Sequence, residues 1–192
     1  MSVAVVIAHY KENLDWIKNI KYKNYVIISK EKYEPEQIPN KGFEASSYLE
    51  YIIKSYENLS DYTIFLHGHR SSWHHKENID EKINSLTFDK PYHNINDNTL
   101  SGIGNGENSY EKTELIYQSL RRILNINIII EHIFMRGSAQ FYVHKDCILR
   151  HNKNVYIQLY NYLMETNEIS FWTSRAFEYI WHLIFTLNHI DS

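Results

Sequence analysis

Cysteine is almost missing from this chain of 192 residues. Cys147 is the single one, which excludes an internal disulfide framework and suits a reducing compartment. Proline is scarce as well: two of the three lie in "EKYEPEQIPNKG", a stretch that reads as a loop. A basic surplus is absent. Lys and Arg number 20 against 23 Asp and Glu, for a formal net charge of −3. Electrostatics therefore advertises no nucleic-acid partner. Long apolar runs are lacking too. "MSVAVVIAHYKENLDW" has no basic n-region, and its apolar stretch is too short for a signal or a membrane span. No other segment has the length to cross a bilayer, so a soluble cytoplasmic protein without a transmembrane segment is expected. No repeat, linker or low-complexity break divides residues 1–192, which are read as a single domain.

What is present is ordinary for a globular protein: 43% hydrophobic and 22% charged residues. Tyrosine stands out with 16 copies, so much of the core must use rings whose polar tips need partners. Ser2 to Ala8 is a continuous β-branched run, as in a strand covered on both faces. "KENLDWIKNI" follows as a short helix, and "NYVIISK" as a second strand. Leu49, Ile52, Ile53 and Tyr56 have the spacing of a helix with one buried face. Tyr62 to Leu66 reads as a third strand. Strand, helix, strand, helix, strand argues for an α/β layout with a parallel sheet. Farther on, Tyr110 to Leu124 reads as a helix, "INIIIEHIFM" as a strand or two, and "GSAQFYVH" as another. "YIQLYNYLM" is helical, and a long helix covers about 172–187. "GIGNG" reads as a mobile lid or a plain surface loop, because it does not sit between a strand and a helix as a dinucleotide fingerprint does.

Chemistry concentrates where the third strand ends, in "TIFLHGHRSSWHH". In an open α/β sheet, ligands bind beyond the carboxyl ends of the strands. Gly68 lets a ligand or another backbone approach closely. His67 and His69 are two apart on extended chain and point the same way. That spacing suits two imidazole ligands of a metal, with His74 as a third, or donors for a phosphate. Arg70 is a planar anion clamp whose plain alternative is a surface ion pair. Trp73 offers a ring to stack on a sugar or base, or else a buried anchor for the loop. His75 and His93 read as polar-loop histidines.

In "SRAFEYIWHLIF", Phe177, Ile180, Trp181 and Ile184 make the apolar stripe. Arg175, Glu178 and His182 share the neighbouring stripe. An ordinary surface helix shows such a polar stripe, but Glu178 with His182 one turn on also suits an acid–base pair, or a carboxylate that orients an imidazole, and Arg175 beside them could hold Glu178 ionised. Asn40 opens "NKGFEA", which enters a helix whose free N–H groups suit an anion, although a tight turn explains Gly42 equally well. His9 ends the first strand, positioned like a ligand contact, although a lone histidine there is more often structural. Gln140 is either a substrate contact or an inter-strand hydrogen bond.

These pieces together resemble a family of short proteins of unknown function found in fungi, bacteria and large DNA viruses, itself similar to GT-A glycosyltransferases. The stretches that carry the resemblance are "VVIAHYKENLDWI", "NKGFEASSYLEYIIKSYENLSDYTIFLHGHRSSWH", "SAQFYVHKDCILR" and "RAFEYIWHLIF". The His-x-His-Arg-x-x-Trp-His block and the Glu-x-x-Trp-His helix are its specific parts. The resemblance implies a GT-A-like, Rossmann-like, mostly parallel sheet flanked by helices, with a nucleotide-sugar site at the carboxyl ends. It implies that "VVIAHY" is the first nucleotide-binding strand. "NKG…YLEYI" is similar to an Asn-Arg-Gly-Arg-Asp stretch of bacterial polysaccharide transferases, from which Lys41 and Glu44 depart. Many GT-A enzymes hold a divalent metal through Asp-x-Asp where this chain has His67-Gly68-His69.

The expected function is transfer of a sugar from a nucleotide sugar to a glycan or other hydroxyl acceptor. Glu178 would act as general base and His182 would orient it. His9, Asn40, His67, His69, Arg70, Trp73 and His74 would bind the donor and its phosphates, and Gln140 and Arg175 the substrate. A divalent ion, Mn or Mg, is a candidate cofactor through His67 and His69. The rival readings are a metal-dependent hydrolase using the same histidines, and a non-catalytic nucleotide- or glycan-binding module.

Overall fold

Alternate residues of the first strand feed two different cores. In a computed structural model that describes residues 1–30, 41–73, 75–97, 100–103, 110–126, 133–136 and 139–186, β1 spans Val3–His9. Ala4, Val6 and Ala8 face one apolar cluster, Val5 and Ile7 the other. That two-sided burial is why the run has no polar alternation. The chain then makes a single 3-10 turn, Asp15–Asn19, where a short helix was expected. Trp16 and Ile17 anchor it beneath the sheet.

The second strand, β2 (Tyr25–Ser29), pairs parallel with β1. It lies at the edge of the sheet with Tyr25, Val26 and Ile27 exposed, so its apolar character does not mark burial. Helix α1 (Phe43–Ser55) starts after Gly42, which takes a left-handed φ of 68°. A Cβ on Gly42 would stand 2.8 Å from Leu163, so glycine serves both the turn and the close packing. Ala45, Tyr48, Leu49 and Ile52 then bury one face of α1, each large side chain contributing roughly 1.5–3 kcal/mol.

Next come β3 (Tyr62–His67), α2 (Ile79–Asn84) and β4 (Tyr92–Asn94). Then follow β5 (Leu100–Ile103), α3 (Tyr110–Ile123), β6 (Ile133–Arg136) and β7 (Phe141–His144). The chain closes with α4 (Lys145–Leu149), α5 (Lys153–Glu165) and α6 (Ser170–Thr186). The main sheet has five strands in the order β2-β1-β3-β7-β4, and β5 pairs antiparallel with β6 in a separate ribbon. β2, β1 and β3 are mutually parallel, while β7 is antiparallel to both β3 and β4. Four strands thus share one direction and β7 opposes them, a mixed sheet within the expected α/β class.

The two faces are unequally covered. α1, α3, α5 and α6 build the larger core with Phe65, Phe141 and the fully buried Trp181. The 3-10 turn and α2 close the other side through Trp16, Ile20, Ile79 and Ile83. No helix among the described residues is long and apolar enough to cross a membrane.

Candidate functional site

β1 and β3 are neighbours and stop at nearly the same level, at His9 and His67. Their carboxyl ends, the first turn of α1 and the first half of α6 enclose a cavity of about 730 Å³. His9, His67, His69, Trp73, Arg175 and Glu178 all line it. Sequence positions more than 160 apart are thereby brought to one place.

His9 is held on both ring nitrogens. Its Nε2 is 3.1 Å from the carbonyl of Glu12, and its Nδ1 is 2.8 Å from the Ser29 hydroxyl. A carbonyl only accepts, so Nε2 carries the proton; in the neutral ring Nδ1 accepts from Ser29. The β1–β2 register, which sets His9 opposite Ser29, makes this bond.

Glu12 turns back over the strand ends. Its Oε2 accepts from the backbone N–H of Tyr10 at 2.7 Å and of Lys11 at 3.1 Å. Its Oε1 lies 3.6 Å from His69 Nδ1. Burial alone would raise the pKa of this carboxyl, but the backbone N–H groups of Tyr10, Glu12 and Lys11, with His69, outweigh it and hold it below the usual range. A Cβ on Gly68 would meet Glu12 Oε2 at 2.8 Å. The close approach at Gly68 is therefore made by a carboxylate of the protein itself. The Gly68 carbonyl accepts from the Trp16 indole at 2.9 Å, which pins the turn from below. The rings of His67 and His69 stand edge to face, 5.2 Å apart.

Arg70 faces away from this cavity. Its Nε and Nη2 each donate to Asp80 at 3.1 Å, a fork that matches the ion-pair alternative. Asn19 adds a further bond to Asp80 at 3.0 Å. Trp73 is 83% exposed at the cavity mouth, so it does not act as a buried anchor. His75 is buried, with its Nδ1 donating to the Glu77 carbonyl at 2.6 Å, and His93 packs against Tyr142.

On the helical side, Glu44 of α1 and Glu178 of α6 both reach the cavity. The Tyr48 hydroxyl, which donates to the Ala139 carbonyl at 2.7 Å, lies within electrostatic reach of both. Its pKa is well raised, by burial first and then by the two carboxylates. Burial pushes the Glu44 carboxyl up, while its own backbone N–H and the Lys30 ammonium pull against that. Lys30 is buried, and its ammonium donates to the Phe43 carbonyl at 2.6 Å and to the Ser46 hydroxyl. Burial draws Lys30 down to about 8, against the pull of Glu44 and Glu50. Arg175 donates from Nε to the Tyr179 hydroxyl at 3.1 Å, with its guanidinium 5.4 Å from the Phe171 ring centre.

Two more expected participants, besides Arg70, stand off the cavity. His182 is one turn beyond Glu178 but does not line it, and its Nδ1 is buried. Burial draws its pKa down to about 4, and a backbone bond at Tyr179 only partly offsets this. Gln140 is fully buried just before β7 and donates to Asn96 Oδ1, just after β4, at 3.1 Å, so the bond joins the segments beside the two strands. Asn40 and His74 lie outside the described residues. Sequence reasoning singled out neither Glu12 nor Glu44 as a site residue. Glu12 offered one signal, standing three residues past a strand end. An acidic residue in the first turn, like Glu44, is what any helix favours.

Among the described residues, no group of three or more His, Cys, Asp or Glu side chains is placed to hold a metal ion. His67 and His69 by themselves do not form such a cage.

No curated protein and no solved structure matches the chain. A family does: residues 5–192 match the family described as Protein of unknown function (DUF3431), and the chain belongs to it.

Proposed function

We propose that the chain is a glycosyltransferase of GT-A type, moving a sugar from a nucleotide-sugar donor to a hydroxyl acceptor. The observation that carries this reading is the meeting of Glu178 with His67, His69 and Arg175 in one cavity beyond the ends of β1 and β3. Ligands of open α/β sheets bind at that end of the strands.

In the reaction, the bond between the anomeric carbon and a phosphate oxygen breaks. The electron pair leaves with the nucleoside diphosphate. The acceptor oxygen bonds to the same carbon, and its proton passes to the Glu178 carboxylate. Charge grows on the departing phosphate, where donors and positive groups fixed in advance do most good. Arg175 and the exposed imidazole of His69 are the groups that face the cavity for this role. Glu12, held ionised, is an acceptor for sugar hydroxyls. GT-A enzymes commonly supply a divalent ion here. The described residues gather no cage for one, and no step above runs through it.

Thermal shift with nucleotides and nucleotide sugars is the direct test. A donor present at a hundred times its dissociation constant adds about 2.7 kcal/mol to stability. Glu178→Gln should keep that shift and lose transfer by at least about a hundredfold. A binding module without catalysis would instead show only changed affinity in Glu178→Gln. If no nucleotide or nucleotide sugar raises Tm, with or without Mn²⁺, the transferase reading fails.

A further inference from the structure

Among the described residues exposed aromatic rings are few, and they are not scattered. Among the described residues Tyr10, Tyr25, Phe43, Trp73 and Phe171 are at least 40% exposed. All but Tyr25 line the cavity. The four come from separate places: the turn after β1, the start of α1, the loop after β3 and the first turn of α6. Phe43 holds a φ of 45°, a conformation that costs a bulky residue energy. Its ring is kept at the rim against local preference.

The cavity is also not closed. It shares Tyr10, Glu12, His69 and Ser71 with a neighbouring groove of about 570 Å³ that reaches Arg70. That groove shares Asn13 and Arg70 with a third hollow of about 370 Å³. The first cavity alone has the size that accommodates a drug-sized ligand, and the two adjoining hollows add room beyond it.

A pyranose has an apolar C–H face and a rim of hydroxyls. It is bound by aromatic planes with hydrogen-bonding groups between them. Glu12, Glu44 and Glu178 supply acceptors, and Ser71 and Arg175 supply donors, among the four rings. We infer that this groove binds a linear oligosaccharide of several units, running from the Phe171–Trp73 mouth past Tyr10 toward Arg70. The inference rests on the reading that the cavity handles sugars, and it makes the acceptor a chain.

The test is calorimetric titration of the full chain with neutral oligosaccharides of one to six units, in cello-, chito-, malto- and manno- series. In one series affinity should climb at least about tenfold between one unit and four. Trp73→Ala and Tyr10→Ala should each weaken the longest ligand about three- to tenfold, with circular dichroism unchanged. Tyr25→Ala, whose ring is exposed elsewhere, should bind as the parent does. Equal affinity for all lengths, or no binding in any series, overturns the inference. If nucleotide sugars bind and no oligosaccharide does, the inference fails while the transferase reading stands. If a chain binds with the expected length dependence and no nucleotide sugar does, the transferase reading fails and the chain-binding groove stands.

Discussion

The Glu12 carboxylate occupies the space a side chain at Gly68 would need: a Cβ there would lie 2.8 Å from Oε2 and 3.1 Å from Glu12 Cβ. Glu12 is not free to swing aside, because two backbone N–H groups hold the same oxygen. Gly68→Ala should therefore destabilise the protein by about 1–3 kcal/mol, the usual cost of forcing a methyl group into an occupied place. Chemical denaturation measures it. In a Glu12→Ala background the same substitution should cost clearly less. Equal costs in both backgrounds would show that the two positions do not compete.

Lys30 sets an alkaline signature. Its pKa is near 8 in the fold, below its ordinary 10.5, so between those values the unfolded chain binds the extra proton. Stability contributed by this group rises with pH across that window. Lys30→Met should remove the rise. The check is the difference in unfolding free energy between the two proteins from pH 7.5 to 9.5, below the range in which the buried tyrosines titrate. A constant difference would refute the assignment.

His182 should stay neutral through the physiological range. Its pKa near 4, against an ordinary 6.5, means the unfolded chain takes up a proton first as pH falls. Stability from this group is present above about 6.5 and is lost progressively down to 4. Proton NMR of the imidazole should show no titration between pH 5 and 8. A midpoint near 6.5 would mean the ring is far more solvated than its packing implies.

Phe43→Gly should expose a trade between stability and binding. Glycine relieves the positive φ, worth about 1 kcal/mol, while the rim loses a ring that is only partly buried. Thermal denaturation should show stability unchanged or raised. Oligosaccharide affinity should fall in the same protein. A clear loss of stability would place the Phe43 ring in the structural core.

Some features were legible from local pattern alone. β1 reads as buried because both of its faces are covered, which leaves an unbroken apolar run. α6 reads as a helix because Phe177, Ile180, Trp181 and Ile184 recur at its period. His67 and His69 stand out because strand interiors do not use such residues. The burial of β2 did not follow from its sequence: Val26 and Ile27 look like core residues yet lie on an open sheet edge. Strand direction was equally hidden. β7 carries Phe141 to Val143 as any buried strand would, and only its pairing with β3 shows that it runs the other way.

Period and composition thus specified the α/β class, the main helices and an imidazole-rich strand end, because those depend on neighbours along the chain. Folding alone settled that Arg70 grips Asp80, that Glu12 fills the gap above Gly68, and that Glu44 and Glu178 face one cavity. Such pairings join residues from 10 to more than 130 positions apart, and no short-range pattern encodes which distant charge or surface a side chain will meet.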